Sequence, residues 1–181
     1  MRKLTMAELG RLDVAAFQSE EKLPVALVLE NIRSALNVGS VFRSADAFRI
    51  TTLVLAGITA TPPHKEIMKT ALGSQLSVGW KYFPTAAKAI EFLKSEGWKI
   101  VAVEQTDSST GLHQFHFLKG EKIAFVLGNE VEGVSDEALA LTSDSIEIPQ
   151  LGTKHSLNVA VCAGIVLWEA AKRLQFDNKI F

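Results

Sequence analysis

Sulfur chemistry is almost absent from this sequence. Cys162 is its single cysteine, so no internal disulfide can form. Its place in an apolar helical run marks it as a small buried hydrophobe rather than a reactive thiol. No stretch is suited to crossing a bilayer: Val159 to Trp168, interrupted only by Gly164, has ten residues, where about 20 are needed. The opening residues, Met1 to Phe17, carry no continuous apolar segment of the secretory kind, and a cytoplasmic protein with no membrane partner is expected. An excess of positive charge is also missing. The net charge of −1 excludes coating of nucleic acid by bulk electrostatics but leaves room for a local basic patch. The four histidines (His64, His113, His116 and His155) are scattered, and no carboxylate pattern completes a ligand set, so no metal is expected. There is no G-x-S-x-G elbow, and a Ser–His pair between neighbours (Ser156 and His155) has poor geometry, which excludes a hydrolase of that design.

What remains is the composition of an ordinary globular chain, 48% hydrophobic and 22% charged over 181 residues, enough for one domain, 1–181, with its own core. Residues 1–23 place Leu4, Leu9, Leu12 and Phe17 on one side of a short amphipathic helix, an N-terminal helical extension packed on the domain's edge. Pro24 ends it. Val25–Leu29 is an apolar run of strand length, and Asn37 is well placed to cap a helix on which Val38, Val41, Phe42, Ala45 and Phe48 recur at helical spacing. Thr51–Ala56 is a second buried strand. His64 to Leu72 reads as a short helix, and Ser77 to Phe83 as an edge strand. Thr85 to Glu96 is amphipathic, with Ala86, Ala89, Ile90 and Leu93 inward and Gly97 as the stop. Lys99–Val103 and Ile123–Leu127 are further strands, and Ser135 caps a helix from Asp136 to Leu141. A short strand at Ile146 and Ile148 leads through a polar loop into the last helix, whose first turn Ser156 can cap. Being apolar on most faces, that helix must be buried on more than one side.

Strands alternating with helices argue for an α/β domain with a mostly parallel sheet and helices on both faces. Ligands bind outside the carboxyl ends of such strands. The polar segments fall there: Asn31 to Arg33, Glu104 to Thr106, Gly128 to Gly133, and Gln150 to Asn158. The loop from Gly128 to Gly133, GNEVEG, lacks a P-loop lysine and the G-x-G-x-x-G spacing, and Glu130 and Glu132 would repel a phosphate. A ligand with a cationic centre or hydroxyls suits it better. Taken alone, it reads as a tight turn with solvated glutamates, and Arg43 alone as a surface arginine.

Three motifs in order are more specific. Asn37, Gly39 and Arg43 form N-x-G-x-x-x-R; Gly128, Glu130 and Gly133 form G-x-E-x-x-G; and Ile148-Pro149 is followed by S-L-N-V from Ser156 to Val159. Together they resemble the signature motifs of the SpoU family, SPOUT-class RNA 2′-O-ribose methyltransferases that use S-adenosylmethionine. The likeness runs from about Pro24 to Arg173. It implies a SPOUT-type fold with a C-terminal trefoil knot, against the general prior on knots, and a homodimer packed through the last helix, which agrees with that helix's apolarity.

By motif position, the resemblance gives Arg43 the role of the catalytic arginine, supported by Asn37, Glu130, Ser156 and Asn158. It implies that S-adenosyl-L-methionine is held by Glu104, Gln105, Gly128, Asn129, Gly133, Ile148, Gln150, Ser156 and Leu157. A guanidinium is a poor general base in solution, so Arg43 is expected to pin a phosphate and polarise the 2′-hydroxyl. Larger members carry a separate RNA-binding domain, which the 23 residues before Pro24 cannot form. RNA is then gripped by Arg33, Arg43 and Lys154, with Arg49, Lys65 and Lys69 as further candidates. Transfer RNA is the expected substrate. Ribosomal RNA, a non-enzymatic RNA-binding member of the fold, and an α/β nucleotide-binding protein of another class are the alternatives.

Overall fold

The structure, a computed structural model, describes residues 1–5 and 7–174. Its elements run α1 (Val14–Ser19), β1 (Leu23–Glu30), α2 (Ala35–Ala47), β2 (Ile50–Ala56), α3 (Lys65–Ala71), α4 (Ser74–Ser77), β3 (Trp80–Phe83), α5 (Ala86–Ser95), β4 (Lys99–Val103), β5 (Thr110–Gly111), β6 (Ile123–Leu127), α6 (Asp136–Leu139), β7 (Asp144–Glu147) and α7 (Val159–Leu174). Among the described residues one sheet forms in the order β3-β2-β1-β6-β4-β7-β5. Every neighbouring pair is parallel, as expected for strands joined by helical crossovers.

The pleat sorts the strand residues by size. Leu27, Leu29, Leu53, Leu55, Phe125 and Leu127 face a core shared with α2, α3 and α7. Their sequence neighbours Ala26, Val28, Val54, Ala56, Ala124 and Val126 face α5 and α6. Successive side chains alternate across a strand, so a continuous apolar run serves both layers, which is why β1 and β6 lack a polar face. The insertion of β6 between β1 and β4 has the larger consequence. It sets the carboxyl ends of β1, β6, β4 and β7 side by side, and the polar loops that follow them converge.

Several local expectations change. The N-terminal helix shrinks to the six residues of α1, because Gly10 takes φ 55° and Asp13 Oδ1 caps the new start by accepting from Ala16 N–H at 2.8 Å. Phe17 alone of the four apolar positions is buried, while Leu4, Leu9 and Leu12 are exposed. Pro24 lies inside β1, where the register with β2 shifts between Leu23 and Ala26. Edge strand β3 begins only at Trp80, since Ser77 closes α4. The helix after Ser135 stops at Leu139, and Ile148 lies beyond β7.

The caps also move. Ser34, not Asn37, caps α2, its Oγ accepting from Asn37 N–H at 3.3 Å. Asn158, not Ser156, caps α7, its Oδ1 accepting from Ala160 N–H at 2.9 Å and Val161 N–H at 3.4 Å. In both cases the usable cap is the polar residue at the turn where the chain enters the helix. Helix α7 buries Val159, Ala163, Val166, Leu167, Ala170 and Ala171 within this chain, while Val161 and Trp168 remain 52% and 53% exposed. The apolarity that called for burial on two sides is thus met on one side by the sheet and α2.

Candidate active site

A cleft of about 350 Å³ opens among the loops after β4, β6 and β7, within the range of small-molecule sites. Glu104, Gln105, Gly128, Asn129, Gly133, Ile148, Gln150, Ser156 and Leu157, the residues expected around the cofactor, all line it. Val103, Leu127, Val131, Glu132, Glu147, His155, Val159 and Cys162 complete the wall with Glu130. Glu147 and Cys162 escape sequence reading because strand and helix positions carry no polar-loop signal.

The loop after β6 is shaped by close approach. A Cβ on Gly128 would stand 2.0 Å from the carbonyl carbon of Gly133 and 2.1 Å from Val134 N, so no side chain fits there. Asn129 and Gly133 exchange both backbone hydrogen bonds at 2.9 Å, closing the loop, and Gly133 takes φ 71°. Asn129 Oδ1 accepts from Val131 N–H at 2.8 Å and Glu132 N–H at 3.2 Å. Glu104 then ties this loop to β4: Oε2 accepts from Val134 N–H and Oε1 from Gln105 N–H, each at 2.9 Å. Gln105 Nε2 donates to the His155 carbonyl at 3.0 Å, which ties in the third loop.

A second set of polar contacts joins the three motifs. Glu130 Oε2 accepts from Arg33 N–H at 3.1 Å, and Oε1 from Ser34 N–H at 3.4 Å and Asn37 Nδ2 at 3.1 Å. Asn37 Oδ1 accepts from Asn158 Nδ2 at 3.2 Å, and Asn158 Oδ1 caps α7. A carboxylate only accepts, so the Asn37 amide must turn its NH2 toward Glu130, which fixes both asparagines. Glu130 therefore lies at the amino end of α2, where the dipole favours an anion. Burial pushes its pKa up, but hydrogen bonds from Arg33 N–H, its own N–H, Asn37 and Ser34 N–H outweigh this and hold it below the usual value. Burial, and then the charge of Glu104, pushes the Cys162 thiol up to about 11, so it is a neutral wall group at physiological pH.

Not every expected residue gathers here. Asn37 meets Glu130 and Asn158 meets Asn37, but neither asparagine lines the cleft. Arg43 is exposed further along α2 and lines two other surface depressions, one with Ser40, Phe48 and Lys69, the other with Arg11 and Arg49. Within one chain it is outside the cleft. Helical rise carries it away: Arg43 is six residues beyond Asn37, about 9 Å along the axis. Arg33 and Lys154 are exposed on loops at the rim, Arg33 by its backbone bond to Glu130 and Lys154 beside His155. Arg49 is paired with Glu20 at 2.9 Å. Among the described residues no cluster of three or more His, Cys, Asp or Glu is placed to hold a metal, and no helix is long and apolar enough to cross a membrane.

Chemically, this cleft is anionic. Glu104, Glu130, Glu132 and Glu147 line it beside the apolar Val103, Leu127, Ile148, Leu157 and Val159. Such a wall suits a small molecule with a positive centre and an apolar body. It fits S-adenosylmethionine, whose sulfonium and ammonium would find carboxylates and whose polar edges would find loop backbone. Fold and site together define an α/β protein with an anionic small-molecule cleft at the carboxyl rim of a parallel sheet.

The relatives agree. Residues 24–168 match the family described as SpoU rRNA Methylase, and the chain belongs to that family. It is 31% identical, over 96% of its length and 86% of the relative's, to the tRNA (guanosine(18)-2'-O)-methyltransferase of Thermus thermophilus. The AdoMet-bound rRNA methyltransferase from Sinorhizobium meliloti superposes with a TM-score of 0.77 at 26% identity, covering 87% of this chain and 58% of that one. A structure described for the 2-OH methylation of C/U34 on tRNA gives 0.72 at 25%, covering 82% and 95%. The chain is thus a methyltransferase with S-adenosylmethionine as its methyl donor.

Proposed function

We propose that this enzyme methylates a ribose 2′-hydroxyl of RNA, that the RNA is a transfer RNA, and that it works as a homodimer in the cytoplasm. The observation that carries the reading is the convergence of three distant motifs, through Asn37, Glu130 and Asn158, on the lip of one anionic cleft. The Thermus relative is named for a transfer RNA, and so is the structure of similar length. The cofactor, when bound, supplies an electrophilic methyl group on a sulfonium. Loops Gly128 to Gly133 and Ile148 to Leu157 would hold it, with Glu104 and Gln105 fixing those loops to each other. The apolar wall excludes water, and holding acceptor and donor in line then supplies much of the rate.

Arg43 enters from elsewhere. Its neighbours on α2 adjoin α7: Phe48 meets Trp168 edge-on at 6.2 Å between ring centres, and Ser44 Oγ lies 4.0 Å from where a Cβ on Gly164 would stand. The exposed Val161 and Trp168 continue that surface. Two chains packed there through α7 would carry Arg43 of one subunit toward the cleft of the other. There it pins the target phosphate and polarises the hydroxyl, as a planar bidentate donor can. Ser156, at the cleft wall, is the hydroxyl-bearing group nearest this role, and Arg33 and Lys154 on the rim hold backbone phosphates. A trefoil knot formed by the segment after β7 accords with β7 lying between β4 and β5 and with the Gln105–His155 tie across it.

The test is transfer of labelled methyl from S-adenosylmethionine to unmodified bulk transfer and ribosomal RNA, with 2′-O-methyl nucleotides then located. One modified site in transfer RNA, lost in Arg43→Ala and restored when Arg43→Ala subunits are mixed with cleft-defective Gly128→Ala subunits, is the expected result. Modification of ribosomal RNA alone would move the substrate. Binding of S-adenosylhomocysteine without transfer to any RNA would overturn the enzymatic reading in favour of an RNA-binding member.

A further inference from the structure

Two exposed apolar side chains sit on loops that are tied to each other: Val131, 71% exposed, on the wall of the cleft, and Ile58, 68% exposed, on the turn after β2. Neither contributes to the core. Both are nevertheless held on a pinned backbone by one pair of asparagines. Ile58 N–H donates to Asn31 Oδ1 at 3.1 Å, Asn129 Nδ2 donates to the Asn31 carbonyl at 2.9 Å, and Val131 N–H donates to Asn129 Oδ1 at 2.8 Å.

The turn that carries Ile58 is anchored from every side. Asn31 takes φ 52°, a left-handed conformation that asparagine tolerates better than most residues. A Cβ on Gly57 would lie 2.0 Å from Asn31 Oδ1, so the approach requires glycine there. Thr59, buried, donates to the Leu29 carbonyl and accepts from Ile32 N–H, both at 2.9 Å. Tyr82 OH donates to the Gly57 carbonyl at 3.2 Å. Loops 98 positions apart in sequence are thereby locked together, and each presents one exposed aliphatic side chain, Val131 standing between the exposed Glu130 and Glu132.

The reaction says what belongs there. A ribose whose hydroxyl reaches the cleft brings its own base to the mouth, within the span of one nucleotide. We propose that Ile58 and Val131 form an apolar clasp for the unstacked base of the acceptor nucleotide, with Asn31 and Asn129 as its positioning pair. This rests on the reading of the enzyme as an RNA ribose methyltransferase. Aliphatic groups contact the faces of a base rather than its hydrogen-bonding edges. The clasp therefore selects an unpaired nucleotide in a loop without choosing strongly among the four bases, as single-stranded readers do through base faces.

The experiment uses the full chain with a pool of unmodified transfer RNA transcripts. Ile58→Ser should lower kcat/KM for methyl transfer about tenfold, mainly through KM, as loss of one base contact does, with S-adenosylhomocysteine affinity unchanged. Ile58→Leu should restore transfer, and Asn31→Asp, which keeps the acceptor oxygen, should exceed Asn31→Ala. A duplex pairing the acceptor nucleotide should be a poor substrate. Unchanged kcat/KM in Ile58→Ser beside an active wild type, or equal transfer to the duplex, would overturn the clasp and leave the enzyme's function standing. A wild type that binds S-adenosylhomocysteine but methylates no RNA would remove both.

Discussion

Replacing Gly128 with alanine adds one methyl group at the tightest point of the loop after β6. Its Cβ would stand 2.0 Å and 2.1 Å from the carbonyl carbon and oxygen of Gly133 and 2.1 Å from Val134 N. Unstrained contact needs about 3.5 Å, so backbone must move by about 1.5 Å. Backbone cannot rotate out of the way as a side chain can. The paired hydrogen bonds between Asn129 and Gly133 and the one from Val134 N–H to Glu104 lie in the path of that movement. Overpacking and the loss of these bonds together cost about 2–3 kcal/mol, which for a chain of this size lowers Tm by about 4–12 °C. Because Gly128, Asn129 and Gly133 all line the cleft, affinity for S-adenosylhomocysteine should fall at least about tenfold, or 1.4 kcal/mol. Calorimetric titration and thermal unfolding read the two effects separately. Gly152→Ala is the control, since nothing lies within 4 Å of a Cβ there. A Gly128→Ala protein with wild-type affinity would refute the placement of the cofactor in this loop. A wild-type Tm would refute the packing argument.

Glu130→Gln leaves an NH2 facing either the N–H of Arg33 or the N–H of Ser34 and the amide of Asn37. As Glu130 is exposed, its charge is discounted for solvent screening and the loss is set at about 1 kcal/mol near neutral pH. The folded-state pKa is depressed, so the carboxylate's contribution is present above the unfolded value, about 4.3, and is lost as pH falls through the lower folded value. The gap between wild type and Glu130→Gln in urea unfolding should therefore hold from about pH 5 to 8 and close below about pH 4; a gap that widens in acid would contradict the hydrogen-bond assignment. Cys162, with its thiol pushed up to about 11 and its place on the cleft wall, should react slowly with N-ethylmaleimide at neutral pH and more slowly still with S-adenosylhomocysteine bound. Rates indifferent to that ligand would place it outside the cleft.

Local patterns in the sequence carried much of this fold. Lys99–Val103 and Ile123–Leu127 stand as strands with the expected limits, and Ala86, Ala89, Ile90 and Leu93 form the buried face of α5. Each depends on neighbours a few residues apart, where period and glycine stops are written directly. Polar loops expected at the carboxyl rim were also legible, because a parallel sheet leaves its ligand sites there. The family likeness added the choice of cofactor, which spacing alone did not contain.

Other features depend on residues that meet only in space. The choice of Ser34 over Asn37 and of Asn158 over Ser156 as caps frees Asn37 to bridge Glu130 and Asn158, partners 93 and 121 positions away. No local window contains that information. The position of β6 between β1 and β4, which gathers the cleft, is likewise a matter of strand order rather than strand content. Arg43 shows the difference most plainly. Its motif is complete in the sequence, yet α2 carries its side chain out of the cleft and onto the surface beside Lys69 and Thr70 of α3. Hydrophobic period and local hydrogen bonding, both written along the chain, specify which segments form the main strands and helices and which loops bear polar groups. Which of those groups face one another is set by strand order and helix direction rather than by sequence distance, since these fix the contacts across the sheet's rim.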